Sequence, residues 1–594
     1  MSFIFKITTT TSPQTFVIPC VNIGTFNATV DYGDGTGSQT VTTYNDSNLT
    51  HSFATAGQHT ITIDGTFPNI RFYNNQESRL LVDEVVDLGD VGWVHLYRAF
   101  RDCSNLTTFN LGTGNTSNVT GMSQWFENCT SLTTLDLSSL DTSSATDMSY
   151  MFQHCTGLTA IDLSNFDTSS VISMVSMFRN CTSLTSLDVS NFDTSSVVGM
   201  QEMFRDCASL TSLDLSNFNT SNVTTIYAMF RFCTSLTTLD ISSFDTSNII
   251  NMGLLFYNCN ALTSIDVSNF NTANVYNMGI MFRHCTGLTT LDVTNFDTSN
   301  VEDFTAMFYY CEGLTTLDVT NFDTSSATKL TSMFQYCRGL TTLDLSSFDT
   351  SSVISMLRMV SGCTSLTTLD LSTFNTSNVT TMHQLFYGCT SLTSIDVTSF
   401  DTSNVVNMIQ MFRNCLNLKT LDLSSFDTSN VTDLNYMFAS CNSLTTLDVS
   451  NFDTSNVTSM YATFENCRSL PSLDLSSFNT SNVTSMYQMF YDCQLLQNLD
   501  IKHFNVSNVI VATNFMALSN DALTTTQYDE LLEAWAEQDV QPNVSWKFGN
   551  VKYTVETIAD WASVNSNSSL SIVNNSLVCF AATTANFGVV QQVD

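Results

Sequence analysis

"NFDTSSVVGMQEMFRDCASLTSLDLS", residues 191–216, begins again at residue 217 as "NFNTSNVTTIYAMFRFCTSLTTLDIS". Sixteen cysteines, Cys103 through Cys493, follow one another at intervals of 26 residues with no insertion or deletion, and only Cys20 and Cys579 lie outside the series. A fixed period of this size implies stacked coils, each burying its apolar face against its neighbours.

Counting from each cysteine lays out one coil. Leucine or an equivalent stands at +3, +6 and +8, as in Leu210, Leu213 and Leu215, and the alternation at the end of "LTSLDLS" predicts a strand. Phe218 (+11), Val223 (+16) and Ile226 (+19) follow, and then "MF" four and three residues before the next cysteine. The Met and Phe spacing predicts a short helical turn on the side opposite the strand. A strand on one face and helical or 3₁₀ turns on the other is leucine-rich-repeat logic. With strands about 4.8 Å apart, sixteen coils would form a parallel sheet roughly 75 Å long.

The stretch "MFRNCTSLTSLDVSNFDTSSVVGM", residues 177–200, resembles the repeat of BspA-like leucine-rich-repeat surface proteins, which occur in bacteria, some protists and phages. The resemblance runs from about residue 96 to 510 and implies an adhesion or recognition protein rather than an enzyme. The departures are mild. Leu140 replaces Phe, "LGTGNTSNV" (111–119) distorts the first coil, and "VSGC" precedes Cys363 in place of "MFxxC".

Composition excludes several functions. The 594 residues carry 54 acidic and 18 basic side chains, a formal charge of −36, which opposes nucleic acid and anionic membranes as partners. No run of 18 apolar residues predicts a membrane span, and "MSFIFKITTTTSPQTFVIPC" does not read as a secretory signal.

Neither the cysteines nor the acids assemble a catalytic set. Metal ligation needs donors converging on one point, whereas here each coil supplies one cysteine, and His154–Cys155 and His284–Cys285 are five coils apart. Cysteines in adjacent coils come within disulfide reach, but no two-coil alternation marks pairs, and the expectation is a reduced, buried ladder. At +12 the residue is Asp in ten coils and Asn in six, as in Asp193 and Asn219, which reads as an Asx turn. At +7 it is Asp in fifteen coils. The outward row Asp136, Asp162, Asp188, Asp214, Asp240, Asp266, Asp292, Asp318 and onward needs something to offset its repulsion. Hydrogen bonding to the flanking Ser/Thr is the plain reading, and a Ca2+ row on hard oxygen ligands the sharper one. Fifteen equivalent acids are not a catalytic pair, and no cofactor is expected otherwise.

Variable columns are the ones able to encode recognition. At −2 stand Arg179, Arg205, Arg231, Arg283 and Arg413, with Arg101, and Tyr257, Tyr309, Tyr387 and Tyr491. Six of the chain's 18 basic residues share this column. Positions −6 and −5 add Tyr150, Tyr227, Arg358, His383, Tyr436, Tyr461 and Tyr487. Arg and Tyr are enriched in interface hot spots, so this ridge is the candidate binding surface, against the plainer reading of amphipathic residues covering a Met/Phe core.

Outside the repeat, "VDYGDGTGS" and "HSFATAGQHTITI" resemble a PKD-type β-sandwich through Asp31, Gly33, Asp34, Gly35 and Gly57. "TTTQYDELLEAWAEQ" predicts a capped amphipathic helix with Tyr528, Leu531, Leu532 and Trp535 on one face, inside a small α/β cap that extends into "VSWKFGNVKYTVETIADWASV" and "SLSIVNNSLVCF". The expected architecture is an α/β repeat solenoid: a β-sandwich over 1–80 for attachment or spacing, sixteen coils with an N-terminal cap over 81–510, and a capping domain over 511–594. The expected function is non-enzymatic recognition by a phage tail-fibre or receptor-binding protein on the virion surface. The alternative is a bacterial cell-surface adhesin exported by another route. Expected partners are a host-surface glycan or protein and other subunits of the virion or surface structure. Nucleic acid and membrane insertion are not expected, and homo-oligomerisation is left open.

Overall fold

The computed structural model describes residues 1–551 apart from 520, 542–543 and 550, together with the strand backbones 570–573 and 576–579. Two compact units emerge, Met1–Asn300 and Val301–Asp594.

The first unit opens with strands β1 (Phe3–Thr9), β2 (Gln14–Val17), β3 (Asn27–Asp31), β4 (Gln39–Val41), β5 (Thr50–Phe53), β6 (Gly57–Thr66) and β7 (Val82–Asp87). In β1 the sequence "FIFKITT" buries Phe3, Phe5 and Ile7 on one face. β1 pairs antiparallel with β6 and β7, and β7 pairs parallel with β8 (Thr108–Phe109) of the first coil. One six-stranded sheet, β4-β3-β6-β1-β7-β8, therefore passes from the N-terminal strands into the repeat and covers its first edge. β2 and β5 form a separate antiparallel pair. In the turn after β3, Gly33 takes φ +70°, and the Thr60 carbonyl lies where a Cβ would stand.

The far side of each coil is not helical, contrary to the reading of the Met–Phe spacing. Glu202 and Asp206 hold left-handed φ of 59° and 61°, and the amides between them alternate in direction. Met203, Arg205 and Cys207 donate three residues back, to the Met200, Glu202 and Phe204 carbonyls. Glu202, Phe204 and Asp206 donate to Tyr227, Met229 and Arg231 of the next coil, at 2.7–3.0 Å. The second unit repeats the device: Gln410, Phe412 and Asn414 donate to Asn435, Met437 and Ala439. A helix would keep all these amides within its own coil. Here each left-handed residue costs about 1–2 kcal/mol, and the amides so released are bonded between coils.

The strand face is less regular than a continuous sheet. Within the coils of the first unit, β9 (Thr134–Asp136) pairs with β10 (Ala160–Asp162) and β11 (Ser212–Asp214) with β12 (Thr238–Asp240), all parallel and in register. Elsewhere single bonds persist, such as Thr289 N–H to Thr263 and, in the second unit, Thr445 N–H to Lys419. The reason is local. Leu210 N–H closes a turn on Cys207 and Ser216 N–H closes another on Asp214, so few residues remain between turns for a ladder. Isolated parallel bridges at +18, such as Thr225 with Asn251 and Asp433 with Ser459, join the coils along another edge.

Within the buried interior, three columns couple one coil to the next. Phe126, Phe152, Phe178, Phe204, Phe230 and Phe256 stack face to face at 5.6–5.9 Å, and Phe412, Phe438, Phe464 and Phe490 at 5.6–5.9 Å. The sixteen repeat cysteines are buried free thiols, and Cys20 is free and half-buried. From Cys129 to Cys285 and from Cys337 to Cys493, each thiol donates to a carbonyl 29 residues earlier, as Cys207 does to Phe178 at 3.0 Å. Ser519, one period after Cys493, carries on the pattern with its hydroxyl on the Phe490 carbonyl. The third column is Thr at +13. Buried Thr194 donates to the Asn219 carbonyl at 2.9 Å and accepts the Asn219 N–H at 2.7 Å, clamping two coils through one hydroxyl.

In the second unit, α2 (Thr525–Ala536), numbered after the single turn α1 (Gln76–Arg79) of the first, begins with a capping box of Thr524 and Gln527 and buries Tyr528, Leu531, Leu532 and Trp535. Strands β13 (Ser545–Lys547), β14 (Leu570–Val573) and β15 (Ser576–Cys579) form an antiparallel sheet in the order β13-β15-β14. The stretch 552–569, which covers most of "KYTVETIADWASV", lies outside the described residues.

Two outcomes are expected. Thr194→Val leaves the part-buried Asn219 amide without its acceptor, at a cost of about 0.5–1.5 kcal/mol. Native-state hydrogen exchange should show the Asn219 amide losing protection, and Thr194→Ser should restore it. Burial raises the Cys207 thiol well above its ordinary pKa and does the same along the ladder, so the thiolate is scarce and enclosed. A thiol reagent followed by mass spectrometry should leave the sixteen ladder cysteines unlabelled until denaturant is added.

Candidate recognition surfaces

The two aspartate columns share one local device. Asp193 at +12 accepts the Ser195 N–H at 2.9 Å, an Asx turn. Asp214 at +7 accepts the Ser216 N–H at 3.0 Å, and Asp136, Asp162, Asp188, Asp240, Asp266, Asp292 and Asp318 each accept the amide two residues on at 2.9–3.0 Å. A third turn of this kind occurs at +18, where Asp147 accepts from Ser149 and Asp433 from Asn435. An Asp followed two residues on by Ser, Thr or Asn therefore closes the same turn at three places in the coil.

The +7 carboxylates are exposed and remain a charged row. Asp136, Asp162 and Asp188 line one shallow hollow of about 480 Å3 in the first unit, and Asp396, Asp422 and Asp448 one of about 700 Å3 in the second. The Ser138 hydroxyl and amide hold Asp136 below the ordinary carboxylate pKa, and Ser216 does the same for Asp214. At Asp188 the Ser190 bonds again win, although the neighbouring Asp214 opposes them. Among the described residues no group of three or more His, Cys, Asp or Glu is placed to hold a metal ion.

The −2 column falls into short layered clusters. In the first unit Arg179 Nη1 lies 2.6 Å from Glu202 Oε2, while Arg205 bonds both Glu202 and Asp206, at 2.5 and 3.1 Å. Arg231 lies over Phe232 and Tyr257 at 5.1 and 5.3 Å, and Arg283 lies over Tyr257 at 5.4 Å. In the second unit Arg413 sits 3.9 Å over Tyr436, which leads into a Tyr436–Tyr461–Tyr487 stack at 5.0 and 4.5 Å. Tyr309 packs on Tyr310 and Tyr336, and Arg338 covers the latter two. Tyr387 and Tyr491 enter none of these clusters. Counting one column at a time misses Glu202, Asp206, Phe232 and Tyr310. They stand at −5 and −1, the left-handed positions, and their side chains lean against the −2 residue of their own or an adjacent coil.

Among the described residues the clusters hold no nucleophile with a base and an orienting acid.

The family model described as "Mycoplasma protein of unknown function, DUF285" matches residues 94–209, 162–239, 233–342, 312–420, 408–535 and 472–575. Similar solved structures include the functional domain of InlJ from Listeria monocytogenes, which includes a cysteine ladder. It has 18% identity over 76% of this chain and 71% of that one, with a TM-score of 0.19. The TLR13–ssRNA13 complex has 15% identity over 78% and 73% (TM-score 0.17), and the mouse RP105/MD-1 complex 15% over 84% and 89% (TM-score 0.17). No curated protein matches the chain.

Carboxylates bonded in the fold with depressed pKa contribute stability that is present above their ordinary value and lost as pH falls through the depressed one. The melting temperature should accordingly fall below about pH 4. NMR titration should give Asp136 and Asp214 midpoints below those of the same residues in the unfolded chain.

Proposed function

The chain belongs to the DUF285 family, described as Mycoplasma protein of unknown function, and from that premise we propose that it is a non-enzymatic recognition or adhesion protein. One observation carries this reading. The segment from −6 to −1 has its backbone locked between coils by amide bonds that make no demand on the outward side chains, and there the sequence varies and concentrates Arg and Tyr. Variation on an invariant scaffold is how a repeat protein encodes a surface, and Arg and Tyr are the residues that anchor contacts. The net charge of −36 turns the reading away from nucleic acid.

In the finer reading the chain is a host-contacting virion component, a tail-fibre or receptor-binding protein that meets a surface glycan or protein. The repeat's resemblance to BspA-like surface proteins supports it. The PKD-like segment over 1–80 would serve attachment, and 511–594 would cap the last coil. The alternative placement is the surface of a bacterial cell, as an adhesin exported by another route; the family's description names Mycoplasma, a bacterium. Immunogold labelling separates the two by marking either particles or cell envelopes.

Function is tested with the full chain on host cells or envelope fragments. Replacing Arg231 and Arg413 by Gln should weaken adhesion at least about tenfold, the loss expected when an interface anchor is removed. Unchanged adhesion removes the ridge from the reading. Release of soluble saccharides from the envelope would overturn the non-enzymatic assignment.

A further inference from the structure

At the start of the repeat, four arginines gather around two tyrosines. Arg98 lies between both rings, 4.9 Å from the Tyr73 centroid and 4.7 Å from that of Tyr97. Arg101 and Arg79 stand over Tyr73 at 4.4 and 5.7 Å, and Arg71 stands over Tyr97 at 4.9 Å. These are four of the 18 basic residues of a strongly acidic chain, and all are half-buried.

Their charge is only partly answered. Asp102 pairs with Arg79 at 3.2 Å and Glu127 with Arg101 at 3.1 Å. Arg98 bonds the neutral Gln124 side chain, and among the described residues the ionisable neighbours of Arg71 are Tyr97, Arg98 and His95. The Nε atoms of Arg71, Arg79 and Arg101 and the Nδ1 of the adjacent His95 are buried without a hydrogen-bond partner. Arg71 is held below its ordinary pKa, first by burial and further by Arg98, while Tyr97 opposes. Two ridge arginines differ in charge balance, since Arg179 and Arg205 share Glu202 and both are paired, although Arg179 too has a buried Nε without a hydrogen-bond partner. Guanidiniums crowded in excess of their carboxylates, with donors to spare, suit an oxyanion.

We infer that the Arg71–Tyr73–Tyr97–Arg98–Arg101 cluster is a binding site for an oxyanion, namely a carboxylate, sulfate or phosphate group. Arg71 and Arg98, neither of which forms an ion pair among the described residues, supply the charge and the forked donors. The tyrosine faces are covered by guanidiniums and hold these in place. The site names a ligand class for the recognition reading above and depends on it only for biological use.

The test uses the full-length protein and isothermal titration with three probes: a glucuronate oligosaccharide, a sulfated heparin-type oligosaccharide and a glycerol-phosphate oligomer. At least one should bind saturably and weaken as salt rises, and the probe that binds identifies the oxyanion. Arg71→Gln and Arg98→Gln should each lower that affinity at least tenfold, and Arg71→Lys should keep part of it. An unchanged melting temperature for Arg71→Gln, whose side chain makes no ion pair, separates lost binding from lost folding. Arg179→Gln should leave titration unchanged. If no probe binds, or if Arg71→Gln and Arg98→Gln both bind like the wild type, the inference is overturned. Loss of cell adhesion in the Arg231/Arg413 variant with probe binding intact would leave it standing, so the two readings fail separately.

Discussion

Every second amide between −5 and −1 points out of its own coil. That alternation ties one coil to the next along the Met–Phe side, and it requires left-handed residues such as Glu202 (φ 59°) and Asp206 (φ 61°). Left-handed backbone is unfavourable for residues with a Cβ, and it persists here because the neighbouring coil receives three amides per period. A single coil in isolation would leave those donors unanswered and would have no reason to keep the conformation. Cooperation between coils is thus built into the backbone before side-chain packing is considered. The phenylalanine stack, the thiol-to-carbonyl bonds and the threonine clamps each repeat the same vertical coupling with a different chemistry.

Charge is handled by local chemistry as well. A row of exposed carboxylates at coil spacing is repulsive, yet Asp136 and Asp214 titrate below the ordinary value because the serine two residues later donates to them. The hydrogen bond outweighs the neighbour. The same turns shorten the strands, so the acids are compatible with the fold partly because they interrupt the sheet on which they stand.

The period, the buried cysteine column and the inward leucines were legible in the sequence, because each follows from spacing and hydropathy alone. The Asx turns at +12 were legible because Asn replaces Asp there without loss of the acceptor. The Met–Phe segment was misread as helical. Apolar residues at helical spacing cannot reveal which amides are shared with a neighbour, and the residues in left-handed conformation at −5, Ser176, Glu202, Ala228 and Leu254 among them, include no glycine to mark them. The threonine clamp was overlooked for a related reason: Thr194 sits inside "DTS", a string that reads as turn chemistry, and only the fold shows its hydroxyl serving both polar atoms of Asn219. The arginine column was visible, but its partners were not, since Glu202 bonds Arg179 from the following coil.

Those partners change what the ridge can encode. A ligand approaching Arg179 or Arg205 must compete with Glu202, which already holds both, whereas Arg231 and Arg413 rest on rings and keep donors available. Guanidinium on an aromatic face stays directed outward at little entropic cost, while guanidinium in an ion pair is largely spent within the protein. Two residues of one type in one column therefore differ in availability according to the coil above. Specificity on this surface is a property of adjacent pairs of coils, and altering one −1 or −5 residue should redirect a neighbour's arginine without touching the scaffold that carries both.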